Sequence, residues 1–164
     1  MPPLPRTSRA VALALVMATP LLLAACTPTI ALSPAPKANT VGCADVIVRL
    51  PSSLEGEGLR ETDAQSTGAW GAPASIVLTC GITTPTVSDL PCFPVEGVDW
   101  LIAHRGKDDV YTTYGRAPGV QVVVDTKAVP TATNVLFDLG SAVGKLPLVG
   151  RCESVTDPRA TPTP

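Results

Sequence analysis

Five cysteines and a single histidine offer the most chemistry in this 164-residue chain, and their spacing narrows what that chemistry is. Cys26 follows Leu23-Ala24-Ala25, while Cys43, Cys80, Cys92 and Cys152 are spread over the remainder. No C-x-x-C pair occurs and His104 is the one imidazole, so no metal site is expected. Nucleophilic hydrolysis lacks a signature as well, because there is no G-x-S-x-G. His104 falls where a strand gives way to a charged turn, the place of an exposed ring rather than of a general base. Asp108-Asp109, and Glu55 with Glu57, read as solvated carboxylates in loops; adjacency in a turn does not set two carboxyls across a cleft. Neither G-x-G-x-x-G nor a P-loop is present, so no cofactor is expected and no catalytic residue stands out.

The chemistry that remains belongs to Cys26. Residues 1–25 have the layout of an export leader: Arg6 and Arg9 near the start, then an uncharged, largely apolar stretch over residues 10–25. That stretch is shorter than the roughly 18 or more residues of a spanning helix, and Pro20 interrupts it. Leu23-Ala24-Ala25-Cys26 resembles the lipobox of bacterial lipoproteins, which implies cleavage before Cys26 and lipidation of its sulfur. A second acyl chain on the new amino terminus would make such an anchor stable, since a single myristoyl chain gives only about 10⁴ M⁻¹. The expected location is the outer face of the cytoplasmic membrane, held through lipid.

Residues 26–164 then form the mature chain, long enough for one domain. Arg6 and Arg9 are the leader's only charges, so ten basic residues face fourteen acidic ones and the mature net charge is about −4. Nucleic acid is not an expected partner of such a chain. Export to an oxidising compartment makes two disulfides the natural use of Cys43, Cys80, Cys92 and Cys152. Three pairings are open; Cys80 with Cys92 and Cys43 with Cys152 is favoured, as a short staple plus a clasp between the ends. Residues 26–42 carry Pro28, Pro34 and Pro36 and read as a tether, whose fifteen residues 27–41 would span about 45 Å as polyproline at roughly 3.1 Å each. Residues 43–152 are the expected globular domain, and residues 153–164, ending Thr-Pro-Thr-Pro, a disordered tail.

Within the domain, β-branched and aliphatic content between Pro73 and Gly81 predicts a strand over residues 75–80, alternation predicts strands over 98–104 and 120–124, and Thr and Tyr content one over 110–114, the last three as a meander. Residues 105–109 form a polar connection, and Pro118-Gly119 suits the centre of a type II turn. Helical spacing of Val135, Leu139, Ala142, Val143 and Leu146 predicts a helix over residues 134–146, with Thr133 as a cap and Gly140 and Gly144 weakening it. Residues 43–50 fit a short helix or a strand equally. The fold class is α+β: a small antiparallel sheet, the meander plus further strands, covered by one or two helices and held by two disulfides.

Clusters of aromatic, glycine and charged residues remain: Ala69-Trp70-Gly71, Gly97-Val98-Asp99-Trp100 and Thr113-Tyr114-Gly115-Arg116. Two roles fit them. The tryptophans are the largest core residues available, with Arg116 pairing with Asp99 across neighbouring strands. Alternatively Trp70, Asp99, Trp100, Tyr114 and Arg116 form a binding surface.

With Cys43, Leu50-Pro51, Arg60 and Thr79-Cys80-Gly81, these clusters resemble domain of unknown function 3515, a family of small secreted or membrane-attached actinobacterial proteins. The resemblance covers about residues 43–152 and implies an extracytoplasmic address without a catalytic residue; Ala72 stands where it leads one to expect an acidic side chain. The leading functional expectation is a non-catalytic envelope lipoprotein that binds a protein or cell-wall component. One rival is an enzyme acting on envelope glycan or peptide, with Asp99, His104, Tyr114 and Arg116 converging in a cleft. The other is a structural spacer.

Overall fold

A computed structural model describes residues 28–152, so the leader, Cys26 and the C-terminal tail lie outside the described residues. Helix α1 (Val41–Ile47) precedes strands β1 (Ser53–Leu54), β2 (Glu57–Arg60), β3 (Thr67–Trp70), β4 (Ile76–Ile82), β5 (Cys92–Val95), β6 (Val98–Arg105), β7 (Asp108–Tyr114) and β8 (Gly119–Asp125), and helix α2 (Ala132–Val143) follows. The strands form one antiparallel sheet in the order β1-β2-β3-β4-β8-β7-β6-β5. The class is therefore α+β, with two meanders joined where β4 meets β8.

Period-two patterning assigns the faces. Ile76, Leu78 and Cys80 stand opposite Val124, Val122 and Val120, and all six are fully buried on the side that carries the helices. Trp70 and Trp100 fall in the same layer, together with Val135, Leu136 and Leu139 of α2. Each tryptophan removes 150–250 Å² from water, worth about 4 to 6 kcal/mol at 25 cal/mol per Å² before entropy is charged against it. The core role of both tryptophans is the one the structure displays.

Helix α1 settles the ambiguous early segment as helical, because Cys43 and Val46 turn inward together. Helix α2 begins two residues before the expected start and ends at Val143, with Thr131 rather than Thr133 at its N-cap position and no side-chain cap bond. Its expected apolar stripe, including Leu146 just past its end, is buried. Gly140 has a packing reason: a Cβ there would stand 2.5 Å from Glu96 Cβ in the β5–β6 turn.

Several expectations are corrected. Asp108 and Asp109 belong to β7, since the connection shrinks to Gly106-Lys107, with Arg105 already opposite Asp108 and Gly106 at φ +65°. Pro118-Gly119 makes no type II turn; Gly119 has no positive φ and already pairs with Ile82 in the sheet. The disulfides are Cys43–Cys80 and Cys92–Cys152. Topology forbids the favoured pairing, because Cys80 faces the helices in β4. Cys92 stands opposite Leu101 on the other face, in the edge strand four places away.

The proline-rich segment does not hang free over its described part. Arg60 Nη2 donates to the Pro28 carbonyl at 2.8 Å, Ile30 bridges to Thr62, Lys37 N–H donates to Gly81 O at 2.9 Å, and Ser66 Oγ donates to Ala38 O. Its carbonyls and the N–H groups between prolines find partners along the sheet, which outweighs the extended preference of the prolines. Peptide mapping without reduction is expected to recover Cys43 linked to Cys80 and Cys92 to Cys152. Replacing either pair by alanine should lower stability by up to roughly 4 kcal/mol in urea unfolding, given loops of 37 and 60 residues.

Candidate binding cleft

Strand order forces one connection to travel. The chain leaves β4 in the middle of the sheet and must reach β5 at its edge, past the ends of β8, β7 and β6, four inter-strand spacings or about 19 Å. Residues 83–91 make this crossing and are tied down along the way. Thr84 Oγ1 donates to Arg116 O, Tyr114 Oη donates to Thr86 O at 3.1 Å, and Ile102 N–H donates to Pro91 O at 3.1 Å. Between ties the loop stands off the sheet and leaves two hollows that share Thr86 and Tyr114.

The first hollow, about 320 Å³, lies between residues 83–86, the Gly115–Pro118 turn and Val149-Gly150, with Lys37 at its rim. The second, about 470 Å³, is floored by Leu101 and Tyr114 and closed by Val87, Leu90 and Cys152. Both fall in the size range of small-ligand sites. Val87, Leu90 and Val149 are exposed at their rims, Val87 to 83%. No imidazole or carboxylate lines either hollow among the described residues; Thr hydroxyls, the Ser88 hydroxyl, the Tyr114 phenol and the Lys37 ammonium are the polar side-chain groups. Such a lining holds an apolar body and fixes it with a few hydrogen bonds.

The other candidate residues take structural places. Trp70 and Trp100 are wholly buried, and Trp70 Nε1 donates to Pro51 O at 3.0 Å. Arg116, 8% exposed, does not pair with Asp99. Its Nη1 donates to Gly144 O at 3.0 Å and Leu146 O at 2.7 Å, and its Nη2 to Gly97 O at 2.8 Å. Two of those carbonyls stand at the C-terminal end of α2, where partial negative charge and missing intrahelical partners favour a cation. Burial lowers the guanidinium's pKa, Arg151 pushes the same way and Asp99 opposes, yet an arginine stays charged at any pH of interest. Asp99 instead accepts the Cys152 N–H at 2.8 Å through Oδ2. Asp99 faces Tyr114 in the register while Arg116 lies beyond the end of β7, so the two strands do not present them as a pair.

His104 and Asp99 lie five residues apart on β6, hence on opposite faces, so the proposed catalytic four do not converge. His104 does have a partner that sequence reasoning missed: its Nδ1 lies 2.5 Å from Oδ1 of Asp109, its cross-strand neighbour. Tyr111 donates to Asp109 Oδ2 at 3.2 Å. Placing Asp109 in β7, directly opposite His104, was the signal needed to find this group. Burial first, then the Asp109 carboxylate, push the Tyr111 phenol up to about 12.

The cleft itself had no signal in the sequence beyond Tyr114. Residues 83–91 mix Thr and Pro with Val87, Ser88, Asp89 and Leu90 in no periodic pattern, and their position follows only from strand order. Among the described residues there is no group of three or more metal-ligating side chains, and no helix is long and apolar enough to cross a membrane.

Residues 8–149 match the profile of a family described as protein of unknown function, DUF3515. Neither curated proteins nor solved structures provide a match.

The Tyr111 shift carries a pH consequence. Its folded-state phenol holds its proton to about 12, whereas an unfolded tyrosine releases it near 10. Between those values the unfolded state binds fewer protons, so stability falls as pH rises through that window. Urea unfolding between pH 9 and 12 should show a steeper decline for the wild type than for Tyr111→Phe; parallel curves would remove this assignment.

Proposed function

The chain belongs to the DUF3515 family, and on that premise we propose that it is a membrane-anchored envelope lipoprotein whose domain binds rather than catalyses. The leader and Leu23-Ala24-Ala25-Cys26 support the anchor, and four remaining cysteines joined in two disulfides suit an oxidising compartment. The observation that carries the binding role is the pair of hollows on either side of the Tyr114–Thr86 bond. They offer an apolar floor, exposed aliphatic rims and a few hydroxyls, in a fold where Trp70, Asp99 and Arg116 are committed to internal ties.

The occupant such a lining suits is extended and apolar-bodied: a segment of an envelope protein, or the apolar part of a cell-wall component. Lys37 at one mouth would favour a carboxylate or phosphate at that end. Tyr114 is the residue whose ring any occupant must touch, because it separates the two hollows.

Two measurements test this reading. Mass spectrometry of the membrane-extracted chain is expected to find Cys26 at the amino terminus carrying lipid, and an uncleaved start contradicts the anchor. A photocrosslinking residue at Val87 should yield a discrete adduct in cells that weakens severalfold with Tyr114→Ala. The same residue at Phe137, exposed on α2, should not yield it. Protease treatment of the adduct separates a protein from a cell-wall partner, and equal labelling from the two positions would contradict the cleft's role.

A further inference from the structure

We propose that the helix-free face of the sheet rests on the bilayer surface, so that the cleft opens beside lipid. This rests on the lipoprotein reading above and adds how the domain is held. Arg60 donates through Nη2 to the Pro28 carbonyl and through Nη1 to Gly71 O, both at 2.8 Å, which fixes the point where the described chain begins. Residues standing directly opposite in an antiparallel sheet project to the same side. Arg60 stands opposite Ala69, and the same row continues through Val77, Val123, Val110 and Ala103. The row therefore runs from the start of the described chain across six strands, on the face away from both helices.

Cys26 is two residues from Pro28, and at no more than 3.6 Å per residue its sulfur-bearing residue stays within about 7 Å of that point. An anchor that short cannot lift the domain, in contrast to the 45 Å expected of a free tether. The bilayer must then meet the side from which the chain starts. Within that row Ala69 and Val110 are buried, while Val77, Val123 and Ala103 are partly exposed, and Thr79, Gln121 and Thr112 form a neutral polar row beside them. Arg105, Lys107, Asp108 and Asp125 are confined to one end, where the headgroup region would take both signs. Tyr114 points to this same side, four residues on from Val110, so an occupant of the cleft would arrive from the membrane.

The test uses the full lipidated chain in phosphatidylcholine vesicles containing a nickel-chelating lipid. A nitroxide is carried on a genetically encoded ketone residue at Val123, or at Phe137 on the helical side, leaving the disulfides untouched. Headgroup nickel should relax the Val123 label severalfold more than the Phe137 label, and a label at Gln121 should follow Val123 if substitution there disturbs packing. Equal or reversed relaxation with lipid present on Cys26 overturns this proposal alone. Spin–spin broadening between labels on two copies overturns it in favour of a second chain covering the face. Absence of lipid on Cys26 by mass spectrometry overturns the lipoprotein reading, and the proposal with it.

Discussion

A guanidinium taken out of water must be given acceptors, and Arg116 is given three that come from different parts of the chain. Gly144 and Leu146 lie at the end of α2, Gly97 in the turn between β5 and β6, and the backbone carbonyl of Arg116 itself accepts from Thr84 in the crossing loop. Charge-assisted bonds of this kind contribute roughly 1.5 to 3 kcal/mol each, and leaving a buried carbonyl without a donor costs about as much. No carboxylate lies within ion-pair distance of Arg116 among the described residues. Its charge is met instead by carbonyl dipoles, so the end of α2 and the β5–β6 turn are coupled through one side chain, while the crossing loop is held by the same residue's backbone carbonyl.

The neighbouring motif residues extend the same knot. Thr113 Oγ1 accepts the Val120 N–H, Tyr114 holds the crossing loop, and Gly115 O accepts the N–H groups of Val149 and Gly150. Gly115 has φ +67°, and a Cβ there would overlap the carbonyl of Gly150, so no other residue fits. Asp99 secures Cys152, whose disulfide to Cys92 fastens the far end of the loop. On the other side of the sheet, Trp70 binds Pro51 and Gly71 O accepts from Arg60. The residues that make the family resemblance are thus closures of the fold, and the cleft is what their geometry leaves open.

That division explains what could be read beforehand. β4 and β8 alternate because one face is packed under helices, β6 and β7 are long enough to show their β-branched and aromatic content although Val98–Leu101 is buried on both faces, and the stripe of α2 is equally plain. β1, β2, β3 and β5 are two to four residues long and lack that alternation, so propensity could not separate them from loops. The disulfide pairing and the role of Arg116 depend on which strands are neighbours. β4 beside β8, rather than beside β5, puts Cys80 and Cys92 on opposite faces and sends residues 83–91 across the sheet. Residue type suggested that Arg116 meets Asp99; the ends of the strands decided that it meets carbonyls.

One buried cation, the guanidinium of Arg116, holds the end of α2 to the β5–β6 turn. Amide hydrogen exchange on Arg116→Lys tests it most directly, since an ammonium retains the charge but cannot fork to three carbonyls. Protection should fall together at Gly144 and Leu146 at the end of α2 and at Val98 beside the β5–β6 turn, while Leu59, Gly71 and Cys80 N–H groups keep theirs. Loss confined to the end of α2, with Val98 and the β5–β6 turn unchanged, would contradict this coupling.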